Sequence, residues 1–205
     1  MFIDRRKTWF WRLTVFKEIK FLGLHLDSKL TFLPHAAYLR RKCEQSSNLI
    51  KVLSNTSWVA DRESLLRVYR AVVRSNLDYG CAVYGSARVS VLRRLDTVHH
   101  SALRVCCGAF RTSPVESLYS YCGEPSLTSI REQLSVTLFF RILSRSEHPL
   151  REVLLNSGLD VLYDHRPSCI PNYGLRMRRV SERLELGGIN ILSTTFRSEE
   201  HTSEL

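Results

Sequence analysis

Two apolar periods divide this chain. Over residues 18–26 apolar and polar positions alternate, and from about residue 33 apolar side chains recur every three or four positions. Alternation marks an extended strand, and the longer spacing marks a helix with one buried side. In Glu18–Leu26 the residues Ile19, Phe21, Gly23 and His25 fall on one face of a strand and Leu22, Leu24 and Leu26 on the other. Asp27-Ser28-Lys29 then supplies a turn and Leu30-Thr31-Phe32 a return, so a β-hairpin is expected. Pro34 suits a first helical turn, and the helix is expected to run to about Leu53. Asp61 is placed to cap a second helix to about Leu77. Its apolar side holds Leu65, Leu66, Tyr69, Val72, Val73 and Leu77. Asp78-Tyr79-Gly80 kinks or ends it, Cys81 to Tyr84 is apolar, and Gly85-Ser86 interrupts.

The spacing predicts a third helix over Arg88–Cys107, stopped by Gly108, with Leu92, Leu95, His99, Ala102, Leu103 and Cys106 inside. Ser113, Pro114 and Glu116 read as the cap, first position and third position of a short helix that ends at Gly123. Ser126–Leu143 follows, with Ile130, Leu134, Leu138 and Ile142 along one side. From Glu147 onward Pro149, Gly158, Pro167, Pro171, Gly174, Gly187 and Gly188 punctuate short segments, the pattern of a connector. The expected fold class is mainly α: a helical bundle with a short N-terminal β-hairpin and an irregular C-terminal connector.

Charge adds a partner to this picture. The 205 residues carry a formal charge of +10, and the sequence pI is about 9.6. A field of that sign attracts polyanions, nucleic acid first and an anionic surface second. Arg67, Arg70 and Arg74 form an i, i+3, i+7 stripe beside the apolar side of the second helix. Arg93 and Arg104 share the polar face of the third with Thr97 and His100, and Lys17, Lys20 and Lys29 surround the hairpin. Such a set neutralises backbone phosphates without reading base edges; the plain alternative is a solvated helix face. Gly23 permits a close backbone approach or marks a bulge.

Other chemistry is thin. Cys43, Cys81, Cys106, Cys107, Cys122 and Cys169 include no C-x-x-C pair, so neither zinc nor a cofactor is expected. His99 and Cys106 share a helix face, but no second ligand pair sits at fixed spacing, and His99 reads as a core histidine. Ser86 and Ser113 lack a partner base. Tyr69, Tyr79, Tyr84 and Tyr119 read as core aromatics, and Gly187-Gly188 lacks a phosphate-loop context. No apolar run approaches membrane-span length, and Met1–Val15 lacks the form of a signal peptide, which points to an intracellular protein of the nucleus or cytoplasm.

Several strings resemble one family in collinear order. Lys20-Phe21-Leu22-Gly23-Leu24-His25-Leu26-Asp27-Ser28-Lys29-Leu30-Thr31-Phe32 is similar to the segment that closes the palm of reverse transcriptases from jockey-type, LINE-like (non-LTR) retrotransposons. Leu65-Leu66-Arg67-Val68-Tyr69-Arg70 and Arg74–Ala87 are similar to the helical region after that palm. Gly108-Ala109-Phe110-Arg111-Thr112-Ser113-Pro114-Val115-Glu116-Ser117-Leu118-Tyr119, followed by Gly123-Glu124-Pro125-Ser126-Leu127, is the most specific string. Gly174-Leu175-Arg176 resembles the linker toward a ribonuclease H domain. The resemblance implies a primer-gripping hairpin over 16–32, a thumb-like helical domain over 33–145 and a connector over 146–196. It also implies a non-specific RNA or DNA template–primer as partner, and a missing palm as another.

The same resemblance withholds catalysis. The family's palm carries paired aspartates upstream of the hairpin, and this sequence contains no Asp-Asp. Two-metal chemistry needs clustered carboxylates, whereas Asp4, Asp27 and Asp61 lie far apart in sequence. No catalytic residue is assigned. Residues 1–15 fit the family poorly and are treated as a lead-in. Residues 197–205 resemble the translation of a sequencing-library adapter and carry one arginine against three glutamates. The alternatives to a nucleic-acid-holding fragment are a functionless transposon relic and a helical interaction module that docks through Cys81–Tyr84.

Overall fold

The computed structural model describes residues 17–55, 61–156, 163, 165 and 170–186. The lead-in, the acidic tail, Cys169 and Gly187-Gly188 lie outside those residues. Glu18–Phe21 (β1) and Leu24–Asp27 (β2) pair antiparallel, with Glu18 opposite Asp27 and Phe21 opposite Leu24. The hairpin therefore turns at Leu22-Gly23, five residues before the expected turn. Both residues have positive φ, 44° and 81°, the backbone twist that a two-residue hairpin loop requires. Asp27 does different work. Its carboxylate accepts from Thr31 N at 3.0 Å, Thr31 Oγ1 at 2.9 Å and Phe32 N at 2.9 Å, and these bonds fold Asp27–Phe32 into the entry of the first helix.

That helix, α1, spans Leu33–Ser54 with Pro34 in its first turn. Asp61 caps the next, α2 (Arg62–Tyr69), by accepting from Ser64 N. The expected single helix to Leu77 contains an interruption: Arg70–Arg74 forms a π turn, in which Ser75 N–H bonds the Arg70 carbonyl, before α3 (Ser75–Asp78) resumes. The widened turn is well served. Ser75 Oγ donates to the Ala71 carbonyl, Asn76 Nδ2 to the Val72 carbonyl and the Cys43 thiol to the Val73 carbonyl. Gly80 ends this stretch in the left-handed region at φ 68°, which favours glycine, and a Cβ there would lie 2.7 Å from Leu24 Cδ2, so a larger residue would also make the hairpin's Leu24 side chain shift.

Cys81–Tyr84 forms a short helix, α4, and Val89–Cys107 forms α5, stopped by Gly108 in the left-handed region. The short helix α6 (Val115–Cys122) is capped at Pro114 rather than Ser113, one residue from expectation: Pro114 keeps an extended ψ of 142° and its carbonyl accepts from Leu118 N. Ser126 caps α7 (Leu127–Leu143) through Ser129 N. The punctuated region then yields α8 (Arg151–Leu155) and α9 (Tyr173–Arg183), the latter capped by Asn172. The fold is mainly α with one small antiparallel hairpin.

Two cores hold these elements. The larger one joins α1 to the first turns of α7 around Tyr69, Tyr84, Ile50, Leu77, Leu95 and Leu103, each almost fully buried. Burying one such aliphatic side chain contributes about 1.5–3 kcal/mol. Val91 and Val98 join it beside the expected α5 residues, while Leu92 is only partly buried. The smaller core gathers Phe139, Ile142, Leu143, Leu154 and Met177 from α7, α8 and α9. Helix α7 thus serves two cores with two faces, which overturns its single expected side: Ile130 and Ile142 are buried, but Leu134 and Leu138 are exposed. Cys81 and Tyr84 are core residues as well, so within the stretch considered from sequence as a docking face Val83 is exposed and Ala82 half-buried.

Candidate nucleic-acid interface

The basic residues separate into those that face outward and those that hold the fold. Lys17, Lys20 and Lys29 are exposed on or beside the hairpin, and Lys20 Nζ lies 5.7 Å over the Tyr38 ring. Gly23 sits in the hairpin turn under Tyr79: an added Cβ would lie 3.4 Å from the Tyr79 ring, and Tyr79 Oη donates to the Leu22 carbonyl at 2.6 Å. The close approach that glycine allows is thus to the protein's own tyrosine. Arg67 is exposed and pairs with Glu63 one helical turn earlier at 2.9 Å.

Arg70 and Arg74 point elsewhere. Arg70 Nε and Arg74 Nη1 each lie 2.5 Å from Glu124, one on each carboxylate oxygen, and Glu124 is only 3% exposed. Arg74 also reaches Asp78 at 3.4 Å. The stripe expected to meet phosphate therefore clamps the turn between α6 and α7 onto the π turn. Arg104 is half-buried and donates to the Ser113 carbonyl at 3.1 Å, fixing the loop before α6. Arg93 is exposed on α5, and its guanidinium has no acceptor among the described residues. Three of the five candidate arginines thus have partners on other elements, although Arg70 stays exposed.

Glu124 was missed by sequence reasoning, although a lone carboxylate in a Gly-Glu-Pro turn of a basic chain is a visible signal. It adjoins a buried polar network. Tyr69 Oη lies 2.5 Å from His99 Nδ1, the His99 and His100 rings are 5.5 Å apart, and His100 Nε2 lies 2.6 Å from Tyr119 Oη. Burial, aided by His100 and Arg74, holds the His99 pKa down at about 3. His35, buried beside His25, Tyr38 and Tyr84, is held at about 4, mainly by burial. Burial raises Tyr69 and Tyr84 well above the usual phenol range. Both histidines are neutral core residues, as the spacing suggested for His99.

Burial also pushes the Cys43 and Cys81 thiols up to about 11 and those of Cys106 and Cys122 up to about 12. Burial thus disfavours the thiolate, the reactive form. Asp27 and Asp61 are tied up in turn and cap. Burial opposes the charge of Asp27, but the bonds from Thr31 and Phe32 overcome it and lower its pKa, and the bond from Ser64 lowers that of Asp61. Among the described residues no group of three His, Cys, Asp or Glu side chains is arranged to hold a metal ion, and no helix is long and apolar enough to cross a membrane.

No family model matches the chain, and no solved structure matches it. Curated proteins do. It is 28% identical over 94 residues to the probable RNA-directed DNA polymerase from transposon X-element of Drosophila melanogaster, covering 43% of this chain. It is 30% identical over 87 residues to the probable RNA-directed DNA polymerase from transposon BS of the same species, covering 42%. Over part of its length the chain is similar to the RNA-directed DNA polymerases of non-LTR retrotransposons. A third relative, the retrovirus-related Pol polyprotein from type-1 retrotransposable element R1 4 of Nasonia vitripennis, is 22% identical over 107 residues. The matched stretches span 10%, 10% and 27% of these three proteins. This chain therefore corresponds to a small part of each.

Proposed function

We propose that this region is the thumb-like and connector part of a retrotransposon reverse transcriptase, which holds a template–primer by its backbone while the metal-binding carboxylates reside on a palm outside this sequence. The observation that carries the reading is the similarity to three retrotransposon polymerase proteins in a chain of charge +10 without an Asp-Asp pair. Within the basic set, Lys17, Lys20, Lys29, Arg67 and Arg93 are the phosphate contacts. Arg67 qualifies despite its partner, because an exposed i, i+4 pair is worth only about 0.3–0.5 kcal/mol and a phosphate can displace it. Arg70, Arg74 and Arg104 act indirectly, by shaping the helices that carry the others. The exposed apolar residues of the hairpin, Ile19, Phe21 and Leu22, form the surface on which the palm would pack.

Fluorescence anisotropy of a labelled RNA–DNA hybrid, titrated with the folded chain at several salt concentrations, tests this. Binding that weakens steeply with salt is expected, with no preference among sequences and no incorporation of deoxynucleotides. Folded protein that leaves the hybrid free at low salt overturns it, and incorporation by this chain alone would overturn the assignment of the chemistry to a separate palm.

A further inference from the structure

A cavity of about 500 Å³ opens between α5, α7 and α9, and of its lining residues the reading above uses Arg93 alone. We propose that it binds one nucleoside monophosphate, free or as the phosphorylated end of a nucleic-acid strand. Its volume lies within the roughly 300–1,000 Å³ of small-molecule sites. Arg93, Arg131, Arg176 and Arg179 line it against Asp96 and Glu132, an excess of two positive charges, close to the charge of a single phosphate monoester at neutral pH. Glu132 is paired with Arg183 at 2.9 Å, whereas Asp96 faces Arg131 at 3.6 Å and its Oδ1 is buried without a hydrogen-bond partner. Two cations keep unused donors. The Arg93 guanidinium has no acceptor among the described residues, and Arg176 Nε is buried without a hydrogen-bond partner although burial works against its charge. An unpaired guanidinium donor in a concave site is costly unless a ligand oxygen completes it. Leu92, Met177 and Val180 supply an apolar wall for a base. Such a pocket is too small for a duplex and fits one nucleotide. Asp96 and Glu132 disfavour a triphosphate, whose charge exceeds the local surplus.

Calorimetric titration of the full chain with AMP, adenosine and inorganic phosphate tests the assignment. AMP is expected to bind at least tenfold more tightly than either adenosine or phosphate. Arg93→Ala, at an exposed position, is expected to weaken AMP about tenfold, as for one charge-assisted hydrogen bond, without lowering the melting temperature. Thr128→Glu, at the exposed rim, is expected to do the same by adding a negative charge, while Arg40→Ala, in the separate polar groove between α1 and α5, leaves AMP binding unchanged. A 5′-phosphorylated single strand that outcompetes its 5′-hydroxyl form assigns the pocket to strand ends, and equal competition by the two forms assigns it to free nucleotide; both support a monophosphate site. Adenosine equal to AMP, phosphate equal to AMP, no binding, or AMP affinity indifferent to Arg93→Ala and Thr128→Glu overturns it. Arg93 serves both readings, so hybrid binding is measured with Thr128→Glu: loss of AMP binding with hybrid binding retained distinguishes this proposal from the thumb reading.

Discussion

Glu124 shows how one residue can redirect a surface. A buried carboxylate held by two guanidinium groups is stable only as a complete set, because removing it leaves Arg74, largely enclosed, with Asp78 at 3.4 Å as its remaining counter-charge. Glu124→Ala is expected to destabilise the protein by about 2–4 kcal/mol, read as a lower urea midpoint. Glu124→Gln, which keeps the shape, should cost less than Glu124→Ala. An unchanged midpoint in both would mean the clamp is ornamental.

The buried histidines set a pH limit by a similar argument. Their folded pKa values, about 3 for His99 and about 4 for His35, lie below the ordinary 6.5. The unfolded chain takes up these protons near pH 6.5 and the folded chain does not, so their effect is to lower stability as pH falls below 6.5 toward 4. Above 6.5 both states are neutral and the effect vanishes. The expected urea midpoint declines over that window, and His99→Gln should flatten the decline even if it lowers the midpoint at neutral pH.

Among the elements, the hairpin depends on its anchor more than on its own pairing, since two isolated strands are marginal in water. Tyr79→Phe removes the hydroxyl that donates to Leu22, which should cost about 1 kcal/mol and speed amide exchange in β1 and β2 while leaving α5 protected. Gly174→Ala acts on another contact. A Cβ at residue 174 would come 2.7 Å from the Leu154 carbonyl oxygen, so α9 must shift from α8; faster exchange in α9 alone is expected.

The elements also show what the chain reveals by itself. Helices α1, α5 and α7, the cap at Asp61 and the stops at Gly108 and Gly123 were legible, because capping and glycine chemistry is local. The hairpin was legible as a hairpin, but its turn was not, because a leucine at positive φ in Leu22-Gly23 runs against residue preference. The π turn at Arg70–Arg74 follows from no single residue type. The two faces of α7 were hidden because its apolar residues extend around the helix, and only the packing of α8 and α9 shows which half meets which core. The candidate interface was legible as a charge but not as a geometry: nothing in the order of Arg67, Arg70 and Arg74 announces that Glu124, fifty residues onward, takes two of the three.

At the scale of the whole molecule, the hairpin end carries exposed Ile19, Phe21, Leu22 and Leu30. Contiguous apolar surface of this kind promotes association when its partner is absent. Concentration-dependent self-association is expected in analytical ultracentrifugation, and Phe21→Ser with Leu22→Ser should reduce it without lowering helix content.

The other whole-molecule property is the division of positive charge between inward clamps and outward contacts. The most direct test compares the salt dependence of hybrid binding for the unaltered chain with that of Lys20→Ala/Lys29→Ala/Arg67→Ala. If these residues touch phosphates, the slope of log affinity against log salt becomes shallower by roughly 2 to 3, with the fold intact. An unchanged slope in the triple variant would contradict the account.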